Sequence, residues 1–489
     1  MTRKTTLNAR NLETLGAARL AELLMELSRG NAAAKQQLRL ALAGQQGADE
    51  IAREIRKRLT SIARARTFIT WKNRKPLLSE LDTHLDAILE RIAPKQPKDA
   101  LELLWRFLSI ANPLFERCDD SSGLFSDIFR QARDRLGELA VAADANAIAL
   151  AEKVFSALQS NNYGQYDELI TILAPALHEE GLAHLQAEVE KLAATPVAPP
   201  PPGEWEVVAW GANGPTYAHD FEARHRRRMV EMALQDIADA RGDVDAFIAQ
   251  VPPDTRRVPA IAAGIAQRLL RAGRPEEALA CIRHADTGGR SVFNLDYHDA
   301  HIAALEALDR HQEAQTMRLD LFRNHLWPEM LRAYLRRLPN HEDIDAEEAA
   351  LEHVMAYPGA VSALHFLIHW PAKRHAAELV VRRASALDGD HYEILAPAAE
   401  TLADAHPLAS TLLRRAMIDF ALTEARYSRY GHAARDLGEC EQLAERIDDW
   451  NEYESHETYC ARLKKTHGRK TGFWSRVSDV GAGLPSDGE

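Results

Sequence analysis

The chain has 489 residues, of which 46% are hydrophobic and 27% charged, and its formal net charge is −12 at pH 7. This hydrophobic content suffices for a folded core and excludes an intrinsically disordered chain. The negative charge argues against a protein that coats a polyanion, although basic faces can exist locally. A chain of this length holds about two to four ordinary domains or one long helical superhelix.

The cysteine usage and the absence of long apolar runs indicate in which cellular compartment the protein is located. Four cysteines lie far apart and form no CxxC pair, which is typical of a reducing cytosol and predicts neither a disulfide framework nor a zinc site. The N-terminal residues lack the apolar core of a signal peptide, and no run of about 18 apolar residues predicts a transmembrane helix. We therefore expect a cytoplasmic protein that makes no membrane contact.

Apolar residues at helical spacing predict an N-terminal helical domain over residues 1–194. Between Ile51 and Lys75 this domain turns basic, while Ile55, Leu59 and Ile62 maintain an apolar stripe. Arginines and lysines interleaved with aromatic residues are typical of nucleic-acid grooves. The candidate binding residues here are Arg64, Arg66, Phe68, Trp71, Lys72, Arg74 and Lys75. The alternative, which we favour, is a solvated helix face with Phe68 and Trp71 in the core.

Adjacent carboxylates occur in the loop Cys118–Gly123, where Asp119 and Asp120 precede a predicted helix over 124–136. Such a pair is a candidate site for a divalent cation, but a calcium or magnesium site needs more oxygen ligands than this loop carries. An Asp or Ser that caps the free N–H groups of the following helix explains the loop more simply.

The composition changes at residues 195–204, where four consecutive prolines predict a stiff linker. We expect the parts on either side of it to fold independently, the second over residues 205–489. The stretch Glu204–Tyr217 has two tryptophans and a Gly-Ala-Asn-Gly-Pro turn and lacks a helical pattern. Helix resumes near His219 with a second basic run that contains the candidate binding residues Arg226, Arg227 and Arg228. Solvation is again the favoured interpretation of this run.

Helical hairpins become regular from Arg241 onward, and Val258–Ala285 is the clearest of them. Gly273 ends its first helix and Pro275 opens its second. Small and apolar residues at the helix crossing resemble a tetratricopeptide-type repeat, and they are Ala266, Leu269, Ala278, Ile282 and Ala285. The segment Asp309–Ala314 repeats the turn Gly273–Ala278 at a distance of 36 residues, and Ser428–Ala433 is a weaker third copy.

Sequence motifs for catalysis are missing. His365 and His369 lie one helical turn apart, but no HExxH pattern accompanies them, and no phosphate loop or nucleophile elbow occurs. We therefore predict no catalytic residues, metal site or cofactor.

Six segments occur in this order along the chain: Arg66–Trp71, Asp119–Gly123, Ala174–Leu182, Gly242–Ala246, Gly273–Ala278 and His467–Trp474. Together they resemble the long helical region that follows the zinc finger in bacterial SWIM zinc-finger proteins. They also resemble a proteobacterial family of unknown function made of that region alone. The finger itself, a CxC pair followed by a Cys and a His, is absent, so its binding activities are not implied.

The sequence thus predicts an all-α, tetratricopeptide-like helical-hairpin repeat solenoid. Its expected role is a non-catalytic scaffold that binds an unidentified protein partner in the bacterial cytoplasm. The alternative is a nucleic-acid-associated protein that uses the basic faces at 53–75 and 224–228. The sequence makes no prediction about the oligomeric state.

Overall fold

The computed structural model describes residues 7–29, 32–195, 201, 205–211, 214–286, 288, 294–339 and 341–482. Its contacts divide the chain into two compact units, Met1–Tyr297 and His298–Glu489, here called unit 1 and unit 2. Regular structure in the described ranges is almost entirely helical, which confirms the all-α helical-hairpin fold. Of the helices in these ranges, none combines the length and apolar character needed to cross a bilayer.

Unit 1 contains helices α1 to α15 and one β-hairpin. The helices are α1 Ala9–Glu13, α2 Gly16–Leu27, α3 Ala32–Gln46, α4 Ala48–Arg64, α5 Trp71–Asp86, α6 Pro97–Ser109, α7 Ala111–Phe115, α8 Leu124–Asp134, α9 Leu136–Ala142, α10 Ala147–Gln159, α11 Leu169–Ala194, α12 Ala218–Arg241, α13 Val244–Gln250, α14 Pro259–Arg271 and α15 Pro275–Arg283. A π-helical segment, Ala87–Ile92, continues α5. The antiparallel strands β1 Val207–Gly211 and β2 Gly214–Tyr217 occupy the stretch without a helical pattern.

Unit 2 contains the remaining helices, and α16 begins just before the division between the units. They are α16 Leu295–Ala307, α17 His311–His325, α18 Pro328–Leu335, α19 Glu342–Ala356, α20 Ala360–His369, α21 Lys373–Arg383, α22 Tyr392–Leu402, α23 Pro407–Thr423, α24 Tyr430–Ala444, α25 His456–His467 and α26 Thr471–Ala482. Short 3₁₀ turns, Ala384–Ala386 and Tyr427–Arg429, precede α22 and α24.

A large hydrophobic cluster in unit 1 extends from Leu40 in α3 to Ile237 in α12. In α4 the predicted stripe of Ile55, Leu59 and Ile62 is almost completely buried, as a helix with one apolar face requires. This burial fixes the orientation of α4, so its basic residues lie at the edge of the stripe or in solvent.

The two strongest copies of the hairpin turn have the same structure. Gly273 and Asp309 both have a left-handed backbone, with φ of 72° and 56°. The next residue in each copy, Arg274 or Arg310, donates its N–H to the carbonyl five residues earlier at 2.9 Å. This 6→1 hydrogen bond defines a Schellman helix end. Each arginine also pairs with a glutamate three residues on, and the alanines of the helix crossing, Ala278 and Ala314, are fully buried.

In the third copy the spacing between the left-handed residue and the buried alanine is longer than in the first two. Its left-handed residue is Ala425, followed by a 2.9 Å hydrogen bond from the Arg426 N–H to the Ala421 carbonyl. The buried alanine, Ala433, comes eight residues after Ala425, whereas Ala278 comes five residues after Gly273. The 3₁₀ turn Tyr427–Arg429 takes up the additional residues.

The helices on either side of the predicted linker pack against each other. Leu185 and Val189 of α11 share one core cluster with Val230 and Ile237 of α12. The predicted boundary at 195–204 therefore lies inside unit 1, and the division between the compact units lies near residue 297. Local composition identifies the proline run but carries no information about which helix faces meet.

Cleavage within the proline run tests this packing. We expect the fragments cut at an engineered protease site among residues 196–203 to co-elute in size-exclusion chromatography, because the α11–α12 face is apolar. Separate elution, with a cooperative melt of each fragment, would support independent domains instead.

Ala278 provides a test of the hairpin crossing. Ala278→Phe should lower the free energy of unfolding by about 1–3 kcal/mol, since a fully buried site has no room for a ring. The matched control is Ala280→Phe, which changes an exposed residue of the same helix. Chemical denaturation measures both. Equal stability of the two variants would contradict the crossing.

Candidate functional site

Carboxylates neutralise much of the basic stretch at 53–75. Arg53 pairs with Glu50 at 2.9 Å, within α4. Two further pairs connect α4 to its neighbours. Arg56 pairs with Glu102 at 3.0 Å, and Arg58 makes two contacts with the buried Glu80, one of them from Nη2 to Oε2 at 2.7 Å. Arg74, another candidate binding residue, lies 3.8 Å from Asp119. These pairs reduce the positive field that the sequence alone predicts.

The candidate residues left without a carboxylate surround a short loop between α4 and α5. Arg64, Arg66 and Lys75 are exposed, and none forms an ion pair with another described residue. Phe68, at the centre of the loop, is 58% exposed. The favoured prediction that Phe68 belongs to the core is therefore wrong. The side chains of Trp71 and Lys72 lie outside the described residues. Arg64, Arg66, Phe68 and Lys75 are here called the Phe68 surface.

A single arginine holds this loop in place. Arg117, at the end of α7, donates to the carbonyls of Ile62 at 2.9 Å, Thr67 at 3.2 Å and Pro113 at 3.1 Å. The Ile69 N–H in turn donates to the Arg117 carbonyl at 2.8 Å, and the Ile69 side chain is buried. Burial lowers the pKa of Arg117, yet an arginine remains charged at neutral pH. The loop is thus fixed at both ends while Phe68 stays in solvent.

Asp120 has the capping role that its sequence position favours. Its carboxylate accepts from the backbone N–H groups of Phe125 at 3.1 Å and Ser126 at 2.9 Å, and also from the Ser126 hydroxyl. The carboxylate of Asp119 accepts from the Ser121 N–H at 3.0 Å. Helix capping and the nearby Arg74 therefore account for both carboxylates.

The second basic run lies on other helices. α4 and α5 pack on α3, α6 and α8, whereas α12 packs mainly on α11 and α13. Arg226 caps α11 by donating to the carbonyls of Leu192 and Thr195, which assigns it a structural role. Arg227 and Arg228 are exposed, and Arg228 lies at a cavity beside Met229 and Asp236.

The largest of the cavities described in unit 2 was not found from the sequence. This cleft of about 600 Å³ lies between α22 and α24, with α23 as its floor. Arg414 in the floor donates to Asp436 at 2.7 Å, and Arg429 on the wall pairs with Asp390 at 2.9 Å. Its residues come from three helices and form no local motif, so no sequence pattern signals it.

The histidine pair is close but does not form a metal centre. The rings of His365 and His369 are 4.2 Å apart, and His369 Nδ1 lies 2.8 Å from the His365 carbonyl. Burial and the charge of His369 lower the pKa of His365. Within the described ranges no group of three or more His, Cys, Asp or Glu side chains is arranged to hold a metal ion.

Comparison with known proteins identifies a family. A model described as "Family of unknown function (DUF6880)" matches residues 2–476. No curated protein matches the chain. Among solved structures, a circular tandem repeat protein with novel repeat topology and enhanced subunit contact surfaces is 13% identical over 94% of each chain, with a TM-score of 0.14. A TM-score this low carries no argument about the fold or function of this chain.

The hydrogen bonds by which Arg117 holds the loop between α4 and α5, here called the Arg117 clamp, can be tested by substitution. Arg117→Met should destabilise the chain by about 1–3 kcal/mol, because carbonyls from two segments lose a charged donor. Arg64→Met, which removes an exposed arginine without a described ion pair, should change stability by about 0.5 kcal/mol or less. Urea unfolding measures both. Equal effects would contradict the clamp.

Proposed function

Because the chain belongs to the DUF6880 family, whose function is unknown, we propose its role from its own geometry. We propose that it is a non-catalytic, tetratricopeptide-like helical-repeat scaffold that binds a partner protein in the bacterial cytoplasm through the Phe68 surface. Its relation to the helical region of SWIM zinc-finger proteins is part of the same proposal.

The observation that carries this proposal is an exposed phenylalanine on a clamped loop. Aromatic and arginine side chains dominate the binding energy of protein interfaces. A loop already fixed by Arg117 loses little conformational entropy when a partner binds. The exposed Arg64, Arg66 and Lys75, which lie in the loop or at the helix ends beside it, add positive charge, and this suits a partner with an acidic surface around an apolar pocket.

The nucleic-acid alternative is weaker because few cations remain free. Phosphate binding requires several unpaired lysines or arginines that release counterions. In this stretch Arg56, Arg58 and Arg74 are already directed to carboxylates, and the whole chain has a charge of −12. Among the described side chains of this stretch, one exposed aromatic residue accompanied by a few unpaired cations favours a protein partner over a polyanion.

The cysteines support a non-catalytic role. Burial raises the pKa of all four thiols, Cys118, Cys281, Cys440 and Cys460. A reactive cysteine needs the opposite shift, because the thiolate is the nucleophile.

Site-specific photocrosslinking tests the proposal with a matched control. Benzoylphenylalanine replaces Phe68 in the full chain and, separately, Phe221, which is also 58% exposed but belongs to α12. We expect a discrete protein adduct from position 68 only. Combining the label at 68 with Arg64→Gln, Arg66→Gln and Lys75→Gln should reduce the adduct yield about tenfold. Equal adducts from both positions, or none from position 68, would refute the proposal.

A titration with nucleic acid distinguishes the scaffold from the alternative, a nucleic-acid-associated protein. Labelled DNA and RNA are added to the wild type and to the triple Gln variant at about 50 and 200 mM salt, where counterion release separates weak from strong phosphate binding. We expect no binding at the higher salt. Micromolar binding there, lost in the triple variant, would replace the scaffold with a nucleic-acid-associated protein.

A further inference from the structure

A cavity of about 380 Å³ in unit 1 lies between the turn that joins α10 to α11 and one face of α12. Met229, Met232 and Asp236 line it from α12, at a spacing that places them on one face of the helix. Leu158 and Tyr166 line the opposite side. The cavity thus combines an apolar part with polar side chains, and methionine side chains adapt their shape to an occupant.

One carboxylate in this cavity has no partner. Asp236 is half-buried and forms no hydrogen bond or ion pair with the described residues. The other carboxylates at the cavity are already engaged: Asp167 accepts from Asn161 at 2.7 Å, and Glu168 pairs with Arg133 at 3.2 Å. A partly desolvated carboxylate without a partner is unfavourable unless a cation reaches it.

The charges around Asp236 also favour a cation. Burial and, after it, the neighbouring carboxylates Asp239, Glu168 and Asp167 raise its pKa, while Arg268 lowers it, and the net value is about 6. Arg268 is itself held by Asp239 through two 2.8 Å contacts. At the other end of the cavity, Arg228 lies eight residues before Asp236 on α12, a separation of about 12 Å along the helix, and His225 is farther still. Their charges act at the rim.

We propose that this cavity receives a lysine side chain of a partner protein. The methionines contact its four-carbon stem and Asp236 accepts from its ammonium group, as expected for a side chain that is apolar along its length and charged at its end. A divalent cation fits less well, because it requires several oxygen ligands, and among the described carboxylates of the cavity only Asp236 has no hydrogen-bond or ion-pair partner. The inference rests on the proposed function, since the occupant belongs to a protein, but it concerns a different surface.

The test uses capped lysine as a probe and methionine methyl groups as reporters. The full chain, with eight methionines, is labelled with ¹³C at the methyl carbons, and Met229→Leu and Met232→Leu assign two signals. N-acetyl-lysine methylamide, added to about 50 mM because a single side chain binds weakly, should shift these two signals in a saturable way. N-acetyl-norleucine methylamide, which has the stem without the ammonium group, should not.

Substitutions and a change of pH test whether the Asp236 carboxylate binds the ammonium group. Asp236→Asn should weaken lysine binding at least about tenfold, whereas Glu231→Gln, at an exposed position of the same helix, should leave it unchanged. With a pKa of about 6, Asp236 is about one-tenth ionised at pH 5. Affinity at pH 5 should therefore be roughly tenfold lower than at pH 7.5.

Three results would overturn the inference. They are equal shifts with norleucine, lysine binding that survives Asp236→Asn, and much tighter binding of pentane-1,5-diamine, which would indicate a site for a free amine. The titration reports on the α12 cavity whether or not the Phe68 surface binds a partner, so a failure of this inference can be distinguished from a failure of the proposed function.

Discussion

The hairpins depend on one local constraint, a residue in the left-handed region at the end of the first helix. Its neighbour's N–H then reaches the carbonyl five residues earlier, as at Gly273 and Asp309. This hydrogen bond satisfies the helix end and reverses the chain within a few residues. The second helix consequently begins a fixed number of residues after the left-handed residue. The same spacing places Ala278 or Ala314, five residues after it, at the helix crossing.

This constraint also explains which hairpins the sequence predicts. Glycine adopts the left-handed region without a Cβ clash, so the turn at Gly273 can be recognised directly, and Asp309 by its similarity to it. At the third copy the left-handed residue is Ala425, a residue type that gives no turn signal. The Ser428–Ala433 similarity therefore locates the buried alanine correctly but not the end of the helix before it.

The candidate surface was only partly predictable, because its character depends on distant residues. The sequence shows the arginines of α4 but not that Glu80 and Glu102 meet Arg58 and Arg56 from 22 and 46 residues away. Hydrophobicity alone assigns Phe68 to the core. Adjacent residues of an extended segment point in opposite directions, and here Ile69 occupies the buried position while Phe68 faces solvent.

Internal pairing of charges distinguishes a protein interface from a polyanion groove more clearly than composition does. A groove that follows phosphates needs cations whose nearest counter-charge is solvent salt, because released counterions supply the affinity. In unit 1 the cations that meet carboxylates mainly stabilise contacts between helices, and Arg226 and Arg117 are directed to backbone carbonyls. Some of the described charges without an ion pair lie instead near apolar groups: Arg64, Arg66 and Lys75 close to Phe68 along the chain, and Asp236 in the cavity that Met232 also lines. An unpaired charge next to an apolar side chain fits a partner with both a hydrophobic contact and one opposite charge, which protein side chains supply and a phosphate backbone does not.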